Sequence, residues 1–254
     1  MPTDRQLRRP LPRPYAALRL LCIPHAGGST GLYRAWAALL PPSVELLLFC
    51  PPGREDRLDE PLPPDIPALV ADLAGAVAPL LDRPWAVFGH SMGATVGHEL
   101  VHHLLRRGHR PPAHLFVSAR EAPQYHRSGT THLLTDDALC VELLRLGGTS
   151  AALLEIPEVR QLVLPAVRAD HRLIETYQPL RSDPLLCPVT ALLGRQDTEL
   201  TVEEAAGWCD CTTAEFELLT FPGGHFYLSD RPQEVVDAVL CRLPVHVNGS
   251  RSIA

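Results

Sequence analysis

Short apolar runs and helical periodicities alternate along most of this chain, and their order predicts its fold. Leu18-Arg19-Leu20-Leu21-Cys22-Ile23 is short and largely apolar, and the glycine-bearing loop Pro24-His25-Ala26-Gly27-Gly28-Ser29 follows it. The pair reads as a buried strand and its exit. Tyr33 to Leu40 predict a short helix stopped by Pro41-Pro42, and Glu45 to Cys50 a second strand ended by Pro51-Pro52-Gly53. Asp65-Ile66-Pro67 then offers an acidic cap and an early proline, with Leu69, Leu73, Val77 and Leu80 continuing at helical spacing. Trp85 to Phe88, Ala94 to Arg107 and His114 to Ser118 supply strand, helix and strand.

From Glu121 to Asp183 the alternation stops: Asp136 to Leu146 and Pro157 to Tyr177 have helical patterns, and no strand pattern intervenes. Val189 to Leu193 and Phe216 to Thr220 restore the strands, with a helix over Thr201 to Trp208 between them. A last helix, Gln233 to Leu243, is stopped by Pro244, and the polar tail from Asn248 is expected to fray. Strands alternating with helices predict an α/β fold, one mostly parallel sheet covered on both faces, with the strandless section inserted into it. No repeat or linker divides the chain, so residues 1–254 read as one domain with an insertion over about 121–184.

Composition narrows the function more than the fold. A chain of 254 residues with 46% hydrophobic and 20% charged residues can bury a full core. No apolar run is long enough to cross a bilayer, and Met1 to Pro14 is rich in Arg and Pro with no apolar signal core, so the cytoplasm is the expected location. The sequon-like Asn248-Gly249-Ser250 means little without secretion. Seven cysteines at irregular spacing, mostly inside apolar runs, suit a reducing compartment, and Cys209-Asp210-Cys211 lacks the second pair a zinc site needs. A net charge of −6 argues against nucleic acid as a main partner. Lysine is absent, so all 23 cationic side chains are arginine, which excludes a lysine nucleophile, a Schiff-base lysine and a P-loop.

The chemistry concentrates at Gly89-His90-Ser91-Met92-Gly93, where a strand pattern meets a helical one and Ser91 falls on the turn. Such a turn is a nucleophile elbow, with glycines two residues either side because a side chain there would collide with its neighbours. In a parallel sheet the active crevice lies beyond the carboxyl ends of the strands. Two further loops qualify: Gly194-Arg195-Gln196-Asp197 and Phe221-Pro222-Gly223-Gly224-His225. The order Ser91, Asp197, His225 is that of a serine triad carried on this kind of sheet. His225 would take the serine's proton, Asp197 would fix the tautomer of His225, and the backbone N–H groups of Met92 and Ala26 would hold the oxyanion. Asp183 is the substitute acid, and His25 suits loop stabilisation better than proton transfer.

A rival pattern competes. His98-Glu99-Leu100-Val101-His102 spells a zinc-hydrolase motif, with Glu121 downstream as a third ligand. Helical spacing places His98 at the edge of the apolar stripe and His102 on the polar side with Arg106, both away from the Ser91 crevice, so they are expected at the border and surface with no metal bound. No cofactor is called for.

Taken together, the chain resembles the α/β-hydrolases and, more narrowly, the stand-alone type II thioesterases that accompany polyketide and nonribosomal peptide synthases. The resemblance runs from Cys22 to about Leu243 and rests on Pro24-His25-Ala26-Gly27-Gly28, Pro52-Gly53-Arg54, the Ser91 elbow, Ser118-Ala119-Arg120, Gly194-Arg195-Gln196-Asp197 and Gly223-Gly224-His225-Phe226-Tyr227. It implies hydrolysis of acyl groups from the phosphopantetheine arm of a carrier protein, and a helical lid over Glu121 to Asp183. The acyl-loaded carrier is the partner it implies, and a monomer is expected. Where the family's helix has an aromatic and then basic residues, this one has His98 and His102-His103. A carboxylesterase of the same fold and a catalytically silent carrier- or synthase-binding protein are the alternatives, because substrate choice lies in the pocket and not in the triad.

Overall fold

A computed structural model describes residues 5–148, 151–179 and 183–244. The seven strands are β1 (Leu7–Arg8), β2 (Leu18–Ile23), β3 (Val44–Phe49), β4 (Trp85–His90), β5 (His114–Ser118), β6 (Val189–Gly194) and β7 (Phe216–Phe221). They form one sheet in the order β1-β3-β2-β4-β5-β6-β7. Every pairing is parallel except that of β1 with β3. β2 to β6 are buried at every position, as expected of strands covered on both faces.

The helices are α1 (Trp36–Leu39), α2 (Ile66–Val77), α3 (Met92–Leu105), α4 (Asp136–Leu146), α5 (Ala151–Leu154), α6 (Pro157–Glu175), α7 (Val202–Ala206), α8 (Tyr227–Asp230) and α9 (Pro232–Leu240). Asp65 caps α2 by accepting from Ala68 N at 2.8 Å, with Pro67 in the first turn, as the sequence implies. One core packs α2 and α3 against one face of the sheet, and a second packs α1 and α9 against the other. Residues of α4, α5 and α6 form a third, smaller cluster of their own, including Leu139, Leu143, Leu154 and Val167. No strand lies between β5 and β6 among the described residues.

Three local expectations need correction. β1 lies inside the Arg/Pro-rich lead-in, where two residues give no period to read; it is held by pairing to β3 and by Cys50 N donating to Gln6 O at 2.8 Å. The helix expected over Tyr33 to Leu40 divides into a 3-10 turn, Thr30–Tyr33, and the single turn of α1. The helix expected over Thr201 to Trp208 keeps its start, a reciprocal cap between Thr201 and Glu204, but tightens into a 3-10 turn from Gly207. The tail from Asn248 and its sequon lie outside the described residues. No described helix is long and apolar enough to cross a membrane.

Candidate active site

Ser91 sits between β4 and α3 with φ 53 and ψ −119, a backbone conformation that a residue with a side chain rarely adopts. Its N–H donates to Ser118 O at 2.7 Å, tying the turn to β5. The flanking glycines are sterically required: a Cβ on Gly89 would lie 2.1 Å from Gly93 O, and one on Gly93 would lie 2.2 Å from Ile23 O. Met92 opens α3, so its N–H belongs to the first turn, where no intrahelical acceptor exists.

The loops after β6 and β7 are laced together. Arg195 N donates to Phe221 O at 2.8 Å and Gln196 N to Gly223 O at 2.9 Å. Gly194 allows the approach, because a Cβ there would meet Gly224 O at 2.2 Å. The lacing carries Asp197 to His225, whose Nδ1 lies 2.9 Å from Asp197 Oδ2. Asp197 Oδ1 accepts from Glu199 N at 2.9 Å. That carboxylate has no solvent exposure.

Ser91, His225 and Ala26 line one cavity of about 230 Å³. Leu143, Leu146, Val167 and His171, all from the strandless section, close its other side, and Phe226 joins them from the β7 loop. His25 also lines it, its ring edge-on to Phe226 at 4.6 Å. Enclosure pushes the His25 imidazole down to about 3, so it is neutral at physiological pH. His90 is likewise held well below its ordinary value by burial. Its Nδ1 lies 2.9 Å from Ser118 Oγ, which lies 2.7 Å from Tyr227 OH. Its ring centroid stands 5.2 Å from that of His225.

Asp183, the substitute acid, is exposed and lines a separate groove with His98 and Asp210. His98 and His102 are not at the surface. They are 4% and 8% exposed: Trp208 packs edge-on to His98 at 5.3 Å, and the His98 ring in turn lies edge-on to that of His102 at 4.6 Å. Their Nε2 atoms lie 3.2 Å apart. Glu121 is committed to Arg120 at 3.0 Å and faces His126 at 3.4 Å. Among the described residues no group of three or more His, Cys, Asp or Glu side chains is arranged to hold a metal ion.

Four residues escaped the sequence. Val167, Asp170 and His171 share one face of α6, at spacings of three and four, but a helix face gives no sign of which loop it will meet. Phe226 follows His225 directly and serves as wall.

Comparison with known proteins shows the family. Residues 18–242 match the thioesterase domain family. The chain is 41% identical over 225 residues to a Streptomyces griseus protein named "Probable cadicidin biosynthesis thioesterase", covering 89% of this chain but only 62% of that one. It is 39% identical over 239 residues to thioesterase PikA5 of Streptomyces venezuelae, covering 92% of this chain and 83% of that one. Among solved structures it is similar to the type II thioesterase BorB from the borrelidin biosynthetic cluster, with a TM-score of 0.88, 38% identity, and coverage of 95% of this chain and 99% of that one. With the strand order, the turn at Ser91 and matches of this extent, the chain belongs to the thioesterase family, hydrolases of thioesters, on the α/β-hydrolase fold.

Proposed function

We propose that this chain is a type II, editing thioesterase. It removes acyl groups from the phosphopantetheine arm of carrier proteins in polyketide or nonribosomal peptide synthesis. The reading is carried by one observation: Ser91 and His225 line the same cavity while Nδ1 of His225 is occupied by the buried carboxylate of Asp197. That leaves Nε2 as the nitrogen free to serve the hydroxyl.

In the first half-reaction Ser91 Oγ attacks the thioester carbonyl as His225 Nε2 takes its proton, and Asp197 stabilises the resulting imidazolium. The oxyanion accepts from the N–H groups of Met92 and Ala26. Collapse of the tetrahedral intermediate breaks the C–S bond. The departing sulfur takes the proton back from His225, leaving an acyl ester on Ser91. Water then attacks that ester with His225 again as base; collapse breaks the bond from the acyl carbon to Ser91 Oγ, His225 returns the proton to Oγ, and the free acid leaves. The neutrality of His25 and His90 supports this role, because a fixed positive charge beside His225 would oppose formation of the imidazolium.

The segment over about 121–184 acts as a lid on a single domain, a reading supported by the residues it contributes to the cavity wall. All the proposed groups come from one chain, so the site needs no second copy to be complete. All seven cysteines are free, which supports a reducing, cytoplasmic setting.

Mass spectrometry of an acyl-loaded carrier protein tests the proposal. The wild type should return the free phosphopantetheine arm, and Ser91→Ala should leave the acyl group in place. Cleavage of oxygen esters alone would make the chain a carboxylesterase, and unchanged release by Ser91→Ala would leave only a binding role.

A further inference from the structure

Resting on the reading of Ala26 as an oxyanion donor, we infer that Asp170 is a positioning residue: helix α6 holds the loop after β2 in its working shape through this one carboxylate. Asp170 is 1% exposed. Its Oδ2 accepts from Gly27 N at 2.8 Å and from Arg54 Nη1 at 2.7 Å. Gly27 follows Ala26 directly, so the anchor acts one residue from the N–H assigned to the oxyanion.

Arg54 completes the clamp. The same Nη1 donates to Gly28 O at 2.7 Å, and Nε donates to Pro52 O at 3.2 Å. One guanidinium thus joins α6, the loop after β2 and the turn after β3. Packing follows the same line. Gly27 has φ 76, and a Cβ on it would lie 2.7 Å from Val167 Cγ2, one helical turn before Asp170. The far end of the loop is fixed separately, by Glu55 accepting from Thr30 N at 3.0 Å and Thr30 Oγ1 at 2.7 Å. The donor stretch therefore hangs between two carboxylates, and only Asp170 belongs to the strandless section.

An oxyanion donor works because it is already aimed when charge develops, and a misplacement of about 1 Å can cost roughly 100-fold in rate. Asp170→Asn keeps the volume but offers an amide where two donors need a carboxylate. Per active site, counted by titration with a fluorophosphonate, its kcat on acyl-carrier should fall about 10- to 100-fold with KM within about threefold of wild type. Affinity for an alkyl boronic acid, whose serine adduct puts an oxygen among the donors, should fall in step with kcat.

Arg168→Met serves as control. It removes contacts of the same helix to His132 O and Leu134 O, away from the donor loop, and should lower thermal stability while leaving kcat per site unchanged. Should Asp170→Asn fail to fold, Arg54→Lys carries the test, since an ammonium cannot reach Asp170, Gly28 O and Pro52 O at once. A folded variant of either residue with wild-type kcat and boronate affinity would overturn the inference. Failure of the underlying triad reading looks different: Ser91→Ala would stay active, or the wild type would not bind the boronate.

Discussion

Nδ1 of His225 and Oδ2 of Asp197 lie 2.9 Å apart although 28 residues separate them, and the carboxylate is closed to solvent. The aspartate therefore dictates which imidazole nitrogen carries the proton. Asp197→Asn should keep the geometry and select the wrong tautomer, lowering kcat by about 10⁴-fold with little change in KM. Steady-state kinetics on an acyl-carrier substrate measures this, and a loss under tenfold would remove Asp197 from the role.

Glycines of this fold should respond oppositely to the same substitution. Gly93→Ala drives a methyl against Ile23 O and should cost about 3 kcal/mol or more, read as a lowered urea midpoint or loss of folded protein. Gly75→Ala, on an exposed helical position of α2 with nothing within 4 Å, should stabilise by about 0.5–1 kcal/mol. Equal responses would mean that the close approach of α3 to β2 is wrong.

Stability should decline on mild acidification. Burial pushes the imidazoles of His25 down to about 3 and of His102 and His114 down to about 4, from an ordinary 6.5. The unfolded chain therefore takes up protons that the folded one refuses. The stabilisation is fully present above the unfolded value and is lost as pH falls through about 6 toward about 4. Urea midpoints at about pH 8, 6 and 5 should fall steadily. His114→Gln should flatten the slope without changing kcat, since His114 opens β5 at the end away from Ser91 and bonds Thr190 Oγ1 at 2.8 Å. A pH-independent midpoint would contradict the burial of these rings.

Arg19 and Glu45 face each other on adjacent strands, both buried, with Nε to Oε2 at 3.0 Å. Glu45→Ala takes the buried acceptor from Arg19 Nε, Arg9 and Arg13 N, leaving the Arg19 guanidinium only Asp82 and Leu80 O, and should cost about 3 kcal/mol. Replacing both, Arg19→Met with Glu45→Leu, should restore part of that loss. Identical midpoints for the single and double variants would show that the pair does not act as a unit.

What the sequence disclosed follows from how local each cause is. Strands such as Leu18–Ile23 are buried on both faces, so their apolar runs announce them. The turn at Ser91 is legible because Gly89 and Gly93 meet close backbone atoms. β1 is not, because its two residues exist as a strand only against β3. The periodicity of α3 identifies the wall it turns to the sheet, but the covering of His98 comes from Trp208, far along the chain. The link from Asp170 to Gly27 spans 143 residues and leaves no local trace in either segment.

The φ of 53 at Ser91 is imposed by its surroundings and not by the residue's own preference, so the fold is under tension at the residue proposed as nucleophile. A glycine there would release roughly 1–3 kcal/mol of backbone strain, less the greater freedom it gives the unfolded chain. A duplicate gene relieved of its duty would thus drift toward a sturdier but idle protein. On the proposed role of Ser91, that tension is stability given up for turnover.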